Sequence, residues 1–107
     1  MIFTKLKKAG YGGWFIGNFD SAVVNSTDVE VCYQTIKKGD TDPHYHTKCT
    51  EILLVTKGKA IINSKKIKKG DIVVINQGEI NNLLATSKKF TVVGVKLPAG
   101  GNDKVRI

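Results

Sequence analysis

Apolar residues in this chain recur at every second position, in short runs cut off by glycine. In "VEVCYQTIKKG", Val29, Val31, Tyr33 and Thr35 alternate with Glu30, Cys32, Gln34 and Ile36. Successive side chains of an extended backbone leave on opposite faces, so this alternation, with its β-branched and aromatic content, predicts a strand. "TEILLVTKG" and "GDIVVINQG" are short runs of Ile, Leu and Val between turn residues and read as more deeply buried strands. "KFTVVGVKLP" repeats the theme and stops at Pro98, and "GGWFIGNFD" supplies Trp14, Phe15 and Phe19, an aromatic strand expected to pack on the main sheet. Turn signals at Lys57-Gly58, Asn63-Ser64, Lys69-Gly70 and Gln77-Gly78 divide these runs. No segment carries a convincing helical stripe; "NNLLATSKKF" is the one candidate, and it is short and flanked by β-patterns. The fold class is all-β, an antiparallel sandwich or barrel.

The chain has 107 residues, the size of one domain, and 41% of them are apolar, enough to bury a core. No apolar run approaches the roughly 18 residues that would span a membrane. The start, "MIFTKLKKAG", lacks the apolar stretch and small-residue cleavage site of a signal peptide, so the expected location is the cytoplasm. Cys32 and Cys49 are too few for a disulfide framework and are expected to be reduced, Cys32 as a buried structural residue.

Net charge is +8, from 17 Lys plus Arg against 9 Asp plus Glu. The lysines come in pairs beside turn signals, where they protect sheet edges and aid solubility. A functional account is attraction of an anionic small molecule. Nucleic acid fits less well, because its readers favour arginine and Arg106 is the only one here.

Both histidines fall in one polar stretch, "GDTDPHYHTKCTE". If "HYH" is extended, His44 and His46 share a face and Tyr45 points away; Pro43 biases the preceding residue toward that conformation. After a turn near Lys48–Cys49, Glu51 falls in phase with Leu53 and Val55. An unpaired carboxylate buried on an apolar face is costly. Two neutral imidazoles and a carboxylate around a divalent cation remove that cost, and this two-histidine, one-carboxylate set suits Fe(II), Mn(II), Ni(II) or Zn(II).

These residues resemble the cupins. Gly39, His44, His46, Glu51 and Gly58 match the first cupin motif (residues 39–58), with a spacer between Gly39 and His44 one residue shorter than usual. "GDIVVINQGEINNLLA", residues 70–85, is similar to a degenerate second motif, with Gly70 and Gly78 in place. The resemblance implies a jelly-roll β-barrel over residues 1–107 and a metal held by His44, His46 and Glu51. It departs from the pattern at Asn76, where proline is usual, and at Asn81, where the fourth metal ligand is usually histidine. Asn81 can ligate weakly, hold a metal-bound water behind the ligands, or mark a site that no longer binds metal tightly. Cys49 is a soft-ligand candidate, and Tyr33, Gln34, Tyr45, Cys49 and Trp14 are candidates to line a pocket.

Three functions from different classes follow. One is a metal-dependent enzyme, dioxygenase- or isomerase-like, acting on a small polar or anionic metabolite drawn in by the lysines. Another is a barrel that binds or senses a sugar or sugar phosphate without turnover, its metal weakly bound or absent. A third, implied by the family, is a carbohydrate isomerase. Small cupins are commonly dimers, with the strand from Trp14 to Phe19 as a candidate element. The tail "AGGNDKVRI" is expected to be loosely ordered or to act as an arm.

Overall fold

A computed structural model describes residues 1–107. Eleven strands follow one 3-10 turn at Leu6–Lys8: β1 (Trp14–Gly17), β2 (Val24–Asn25), β3 (Glu30–Lys37), β4 (His44–His46), β5 (Thr50–Lys57), β6 (Lys59–Ile62), β7 (Lys65–Lys68), β8 (Ile72–Ile75), β9 (Leu83–Ala85), β10 (Lys89–Leu97) and β11 (Lys104–Arg106). The candidate helix "NNLLATSKKF" is β9, a turn and the start of β10. No helix is long and apolar enough to cross a membrane.

One layer is a six-stranded sheet in the order β2-β1-β3-β10-β5-β8. The other is built from β11-β4 and β7-β6-β9, joined by the bridges Thr41–Leu84 and His44–Asn81. All neighbouring strands are antiparallel except β1 and β2. This is the all-β jelly roll. The hairpin β6–β7 turns on Asn63 (φ 47°) and Ser64 (φ 70°), the pair of left-handed residues that a two-residue hairpin of the correct twist requires. At Gly58, φ is +83° and a Cβ would lie 2.1 Å from the Lys89 carbonyl oxygen, so only glycine fits there.

The interior has two halves. Leu53, Val55 and Val92 of the six-stranded sheet meet Ala60, Ile62 and Leu83 of the other layer, with Phe90 fully buried among them. The other half is polar: Glu30, His44, His46, Glu51, Asn81, Lys96 and Asp103 are all buried there.

Three expectations are corrected. In β3 the buried phase is Glu30 and Cys32, with Gln34 and Ile36 half-buried in step with them, while Val31 and the pocket candidate Tyr33 face outward. In β8, Ile72 and Val74 are exposed, because no layer covers the outer face of the large sheet. The tail is ordered: β11 pairs with β4 in the register Lys104–His46, Val105–Tyr45 and Arg106–His44. Of the lysines, Lys65, Lys66 and Lys68 lie within β7 rather than beside it, exposed around buried Ile67 on an edge strand, where charge discourages pairing with another chain.

Candidate metal centre

β4 is three residues long and buries His44 and His46 while Tyr45 turns outward. Its backbone is fixed on both sides. β11 pairs along one edge, and on the other His44 exchanges both hydrogen bonds with Asn81: His44 N–H donates to the Asn81 carbonyl at 3.1 Å, and Asn81 N–H to the His44 carbonyl at 2.7 Å. Glu51 enters from β5 on the same inner face as Leu53 and Val55, and is 6% exposed.

The three side chains meet. His44 Nε2 lies 3.9 Å from Glu51 Oε1, and His46 Nε2 lies 3.9 Å from Glu51 Oε2. The imidazoles stand edge to face with centroids 5.0 Å apart. Each ring is held by its other nitrogen. His44 Nδ1–H donates to the Asp42 carbonyl at 2.5 Å, since a carbonyl can only accept. His46 Nδ1–H donates to Asp103 Oδ1 at 2.8 Å. Burial alone would raise the Asp103 pKa, but the His46 imidazole and the backbone N–H groups of Cys49 and Lys48 hold it at about 2, so its carboxylate accepts and does not donate. Both tautomers therefore leave the Nε2 lone pair facing inward. Burial also pushes the pKa of His44 down, outweighing its bond to the Asp42 carbonyl, which keeps the ring neutral at pH 7.

His46 Nε2 is buried and has no hydrogen-bond partner, the only side-chain nitrogen or oxygen in the protein so placed. A desolvated acceptor without a donor costs about 1–3 kcal/mol. Here it faces a carboxylate and a second acceptor nitrogen, an arrangement that a cation relieves and a water satisfies only in part. The fit is good. Two atoms each about 2.1 Å from a cation lie at most about 4.2 Å apart, and both 3.9 Å separations satisfy that limit. His44, His46 and Glu51 could thus hold a divalent transition metal.

Asn81 is buried beside them, but its Nδ2 donates to Glu51 Oε1 at 3.0 Å. In this geometry the amide stands behind the Glu51 carboxylate and orients it. Cys49 does not line the cavity. It is fully buried behind His46, and burial, reinforced by its hydrogen bond to Asp103, pushes its thiol up to about 12. His46, Cys49 and Asp103 also lie close enough to suggest a second metal site. Its donor atoms are already engaged: His46 Nδ1 and the backbone N–H groups of Lys48 and Cys49 all donate to Asp103. Cys32 is a buried thiol raised to about 12 by burial, as a structural residue should be.

The three inward atoms open onto a cavity of about 810 Å³. Gln34 lines it, its Nε2 donating to the Gly12 carbonyl at 2.8 Å, and so does Trp14. Tyr33 does not; it is 42% exposed on the opposite face of β3. Two groups were not singled out from the sequence. Asp103 arrives from the tail, and Lys96 from β10, where it pairs across the sheet with both Glu30 and Glu51. Lys96 is 8% exposed, with Nζ 3.9 Å from Glu30 Oε2 and 4.5 Å from the centre of the Trp14 ring. The alternation Phe90, Val92, Gly94, Lys96 carries the signal for Lys96, since it shares its phase with the core. At the mouth, Asp42 accepts from Lys104 Nζ and, at 3.1 Å, from Arg106 Nε. Burial works against its charge, but these two cations prevail and hold its pKa below the ordinary value.

The two-layered barrel has the cupin, or double-stranded β-helix, fold, as its likeness to solved structures shows. A conserved protein with a double-stranded β-helix domain from Klebsiella pneumoniae subsp. pneumoniae superposes with a TM-score of 0.71 at 21% identity, over 98% of this chain and 95% of its own. KdgF from Halomonas sp. gives 0.65 at 18% identity, over 71% and 75%. A cupin protein from Bacteroides fragilis gives 0.57 at 24% identity, over 70% of each chain. No protein-family model and no curated protein matches the sequence. At these identities the likeness carries the fold, and the site has to speak for the function.

Proposed function

We propose that this protein is a metal-dependent cupin enzyme acting on a small anionic metabolite, of the oxygenase or isomerase type. The observation that carries the reading is the orphaned His46 Nε2, buried and aimed with His44 Nε2 at the Glu51 carboxylate. A bound Fe(II), Mn(II), Ni(II) or Zn(II) would supply Lewis-acid chemistry, and iron or manganese also redox chemistry. The rest of the work falls to the chain. Asp103 and the Asp42 carbonyl keep both imidazoles in the tautomer that presents Nε2, and Asn81 fixes the carboxylate. Leu53, Leu83 and Val92 form the apolar part of the cavity wall and restrict water behind the ligands.

The anionic character of the substrate rests on charge. Three acids (Asp40, Asp42, Glu51) and three bases (Lys96, Lys104, Arg106) line the cavity, which is therefore balanced by itself and positive once a divalent cation enters. Asp42 occupies Lys104 and Arg106, whereas Lys96 is inside the barrel on the strand next to Glu51, with its own acid, Glu30, at a longer 3.9 Å. In this reading Lys96 receives the carboxylate or phosphate of the substrate, and Trp14 and Gln34 form the wall beside it.

The test is the metal content of protein purified without a histidine tag. About one equivalent of Fe, Mn, Ni or Zn supports the proposal, since three protein ligands with open positions are what a catalytic site requires. A barrel that stays metal-free after incubation with each of the four ions removes it. The second reading, a sugar- or sugar-phosphate-binding barrel without turnover, is favoured by the use of Asn81 to support Glu51 where a fourth ligand is usual. Thermal stabilisation of metal-free protein by sugar phosphates would establish that reading instead.

Lys96→Met separates the anion site from the metal site. In nickel-loaded protein, the affinity for inorganic phosphate or oxalate should drop by about tenfold, the worth of one charge-assisted hydrogen bond. Nickel affinity itself should hold or rise, because a positive neighbour of Glu51 has been removed. Calorimetric titrations of both ligands measure the two effects, and equal losses in the two would argue that Lys96 only supports the fold.

A further inference from the structure

The strand registers gather half of the lysines at one end of the barrel. The chain has 17 Lys plus Arg, and with Arg106 set aside 16 are lysines. Lys37, the last residue of β3, lies directly opposite Lys89, the first of β10. Gly58, tight against the Lys89 carbonyl, sets Lys57 and Lys59 beside that pair. Lys59 in turn lies directly opposite Lys68, the last residue of β7. Lys38, Lys69 and Lys88 adjoin these in the turns, and all eight side chains are exposed. None of the eight forms an ion pair. Like charges directly opposite on neighbouring strands are destabilising, and this end holds two such pairs. Edge protection does not account for them all, because β3, β10 and β5 are interior strands of the large sheet. The candidate metal ligands lie elsewhere: Glu51 and Lys57 stand near opposite ends of β5, roughly 20 Å apart.

We infer that this end of the barrel docks on an anionic lipid surface. A layer of negative headgroups gives each lysine the counter-charge that the chain does not supply, and it relieves both like-charged pairs at once. The residue types select lipid over nucleic acid. No arginine stands at this end, since Arg106 is on β11 and donates to Asp42, so no planar fork is offered to phosphates or base edges. Phe90, the aromatic residue beside Lys89, is fully buried and offers no ring on which a base could stack. A headgroup layer requires neither feature. It requires cations spread over one end, each worth about fivefold in binding constant close to an anionic surface. Neighbouring strands about 4.8 Å apart spread these lysines over roughly 20 Å, wide enough to meet several headgroups together. The contact is peripheral, because the side chains at this end are cationic and none of them enters hydrocarbon.

Co-sedimentation of the full chain with vesicles tests this. The protein is expected to pellet with vesicles of equal parts phosphatidylcholine and phosphatidylserine, and to stay in solution with phosphatidylcholine alone. It should be released at about 1 M salt, where the screening length falls to about 3 Å. K37E/K89E should lower partition onto the anionic vesicles by about 25-fold or more, two lysines at about fivefold each. K5E/K7E makes the same change in net charge in the segment before β1, and should stay within about threefold of wild type, since charges beyond a screening length act weakly. If K37E/K89E does not fold by circular dichroism, K38E/K88E, with both positions in turns, takes its place. Wild-type protein that ignores the anionic vesicles overturns the inference. So does an equal loss in K5E/K7E, which would assign the attraction to net charge. Tighter binding to a single-stranded oligonucleotide than to the vesicles also overturns it, and would make nucleic acid the occupant. None of these readouts depends on metal content, so the proposed function and this surface stand or fall separately.

Discussion

His46→Ala is expected to abolish tight metal binding while leaving a folded barrel. The substitution removes one of three ligand atoms, and it does so at the ring with the strongest anchorage, between Asp103 and the cavity. Loss of a group that merely supports a ligand costs roughly 10–100-fold in metal affinity; loss of the ligand should exceed that, leaving His44 and Glu51 as a weak two-point site. Stability gives an independent readout. A metal that binds only the folded state raises stability by about 2.7 kcal/mol when its free concentration is a hundred times its Kd. The wild-type melting temperature should therefore climb on addition of Ni(II) or Zn(II), and that of His46→Ala should stay flat. Metal-free protein makes the comparison fair, because the variant loses a hydrogen bond to Asp103 but also loses an unsatisfied buried nitrogen. A variant that still takes up one equivalent with little loss of affinity would rule out His46 as a ligand.

The parts of this site that the sequence discloses are those set by short-range geometry. H-x-H with Pro43 before it forces two imidazoles to one side of a strand, and the phase of Glu51 with Leu53 and Val55 forces the carboxylate inward. Those three meet because β4 and β5 adjoin in the chain. Asp103 carries no such signal. It lies 57 positions from His46 in a segment with two glycines, and composition alone gives that segment the look of a loose tail. What orders it is pairing with β4, a long-range event that local pattern does not encode. Tyr33 shows a different failure. Binary patterning assumes that apolar residues face the interior, and in β3 the interior is the polar site while the apolar residues face outward. The alternation alone does not say which face of β3 lines the cavity, so Tyr33 and Gln34 both stand as candidates, and Gln34 is the one that lines it. The shallow burial of β8 has the same origin, in that its Ile72 and Val74 belong to the uncovered face.

Asp103→Asn should weaken metal binding and destabilise the protein together, because one carboxylate serves both ends. Its side chain is fully enclosed and accepts from His46 Nδ1, Lys48 N–H and Cys49 N–H. An asparagine keeps the shape but has a single acceptor oxygen, so one of these donors faces an NH₂ group. Losing a buried hydrogen bond to a charged carboxylate costs roughly 1.5–3 kcal/mol, and a misoriented His46 ring should lower metal affinity by about 10–100-fold. The pH dependence distinguishes a charge effect from lost packing. The carboxyl of Asp103 ionises at about 2 in the folded protein against an ordinary 3.8, so the unfolded chain binds its proton more readily. At about 1.4 kcal/mol per unit, this difference contributes about 2 kcal/mol, present in full above pH 3.8 and lost as pH falls toward 2. His44 acts in the same direction higher up. Its lowered pKa means that stability begins to fall as pH drops below 6.5, where the unfolded imidazole takes up its proton first. Denaturation of metal-free wild type should therefore show two acid losses, one starting near pH 6.5 and one below pH 4. Asp103→Asn should retain the first and shrink the second, to which Asp42, also held below its ordinary pKa, still contributes. Urea titrations at a series of pH values measure both slopes. If the variant reproduces the lower loss unchanged, the charge of Asp103 is not what holds the tail and His46 in place.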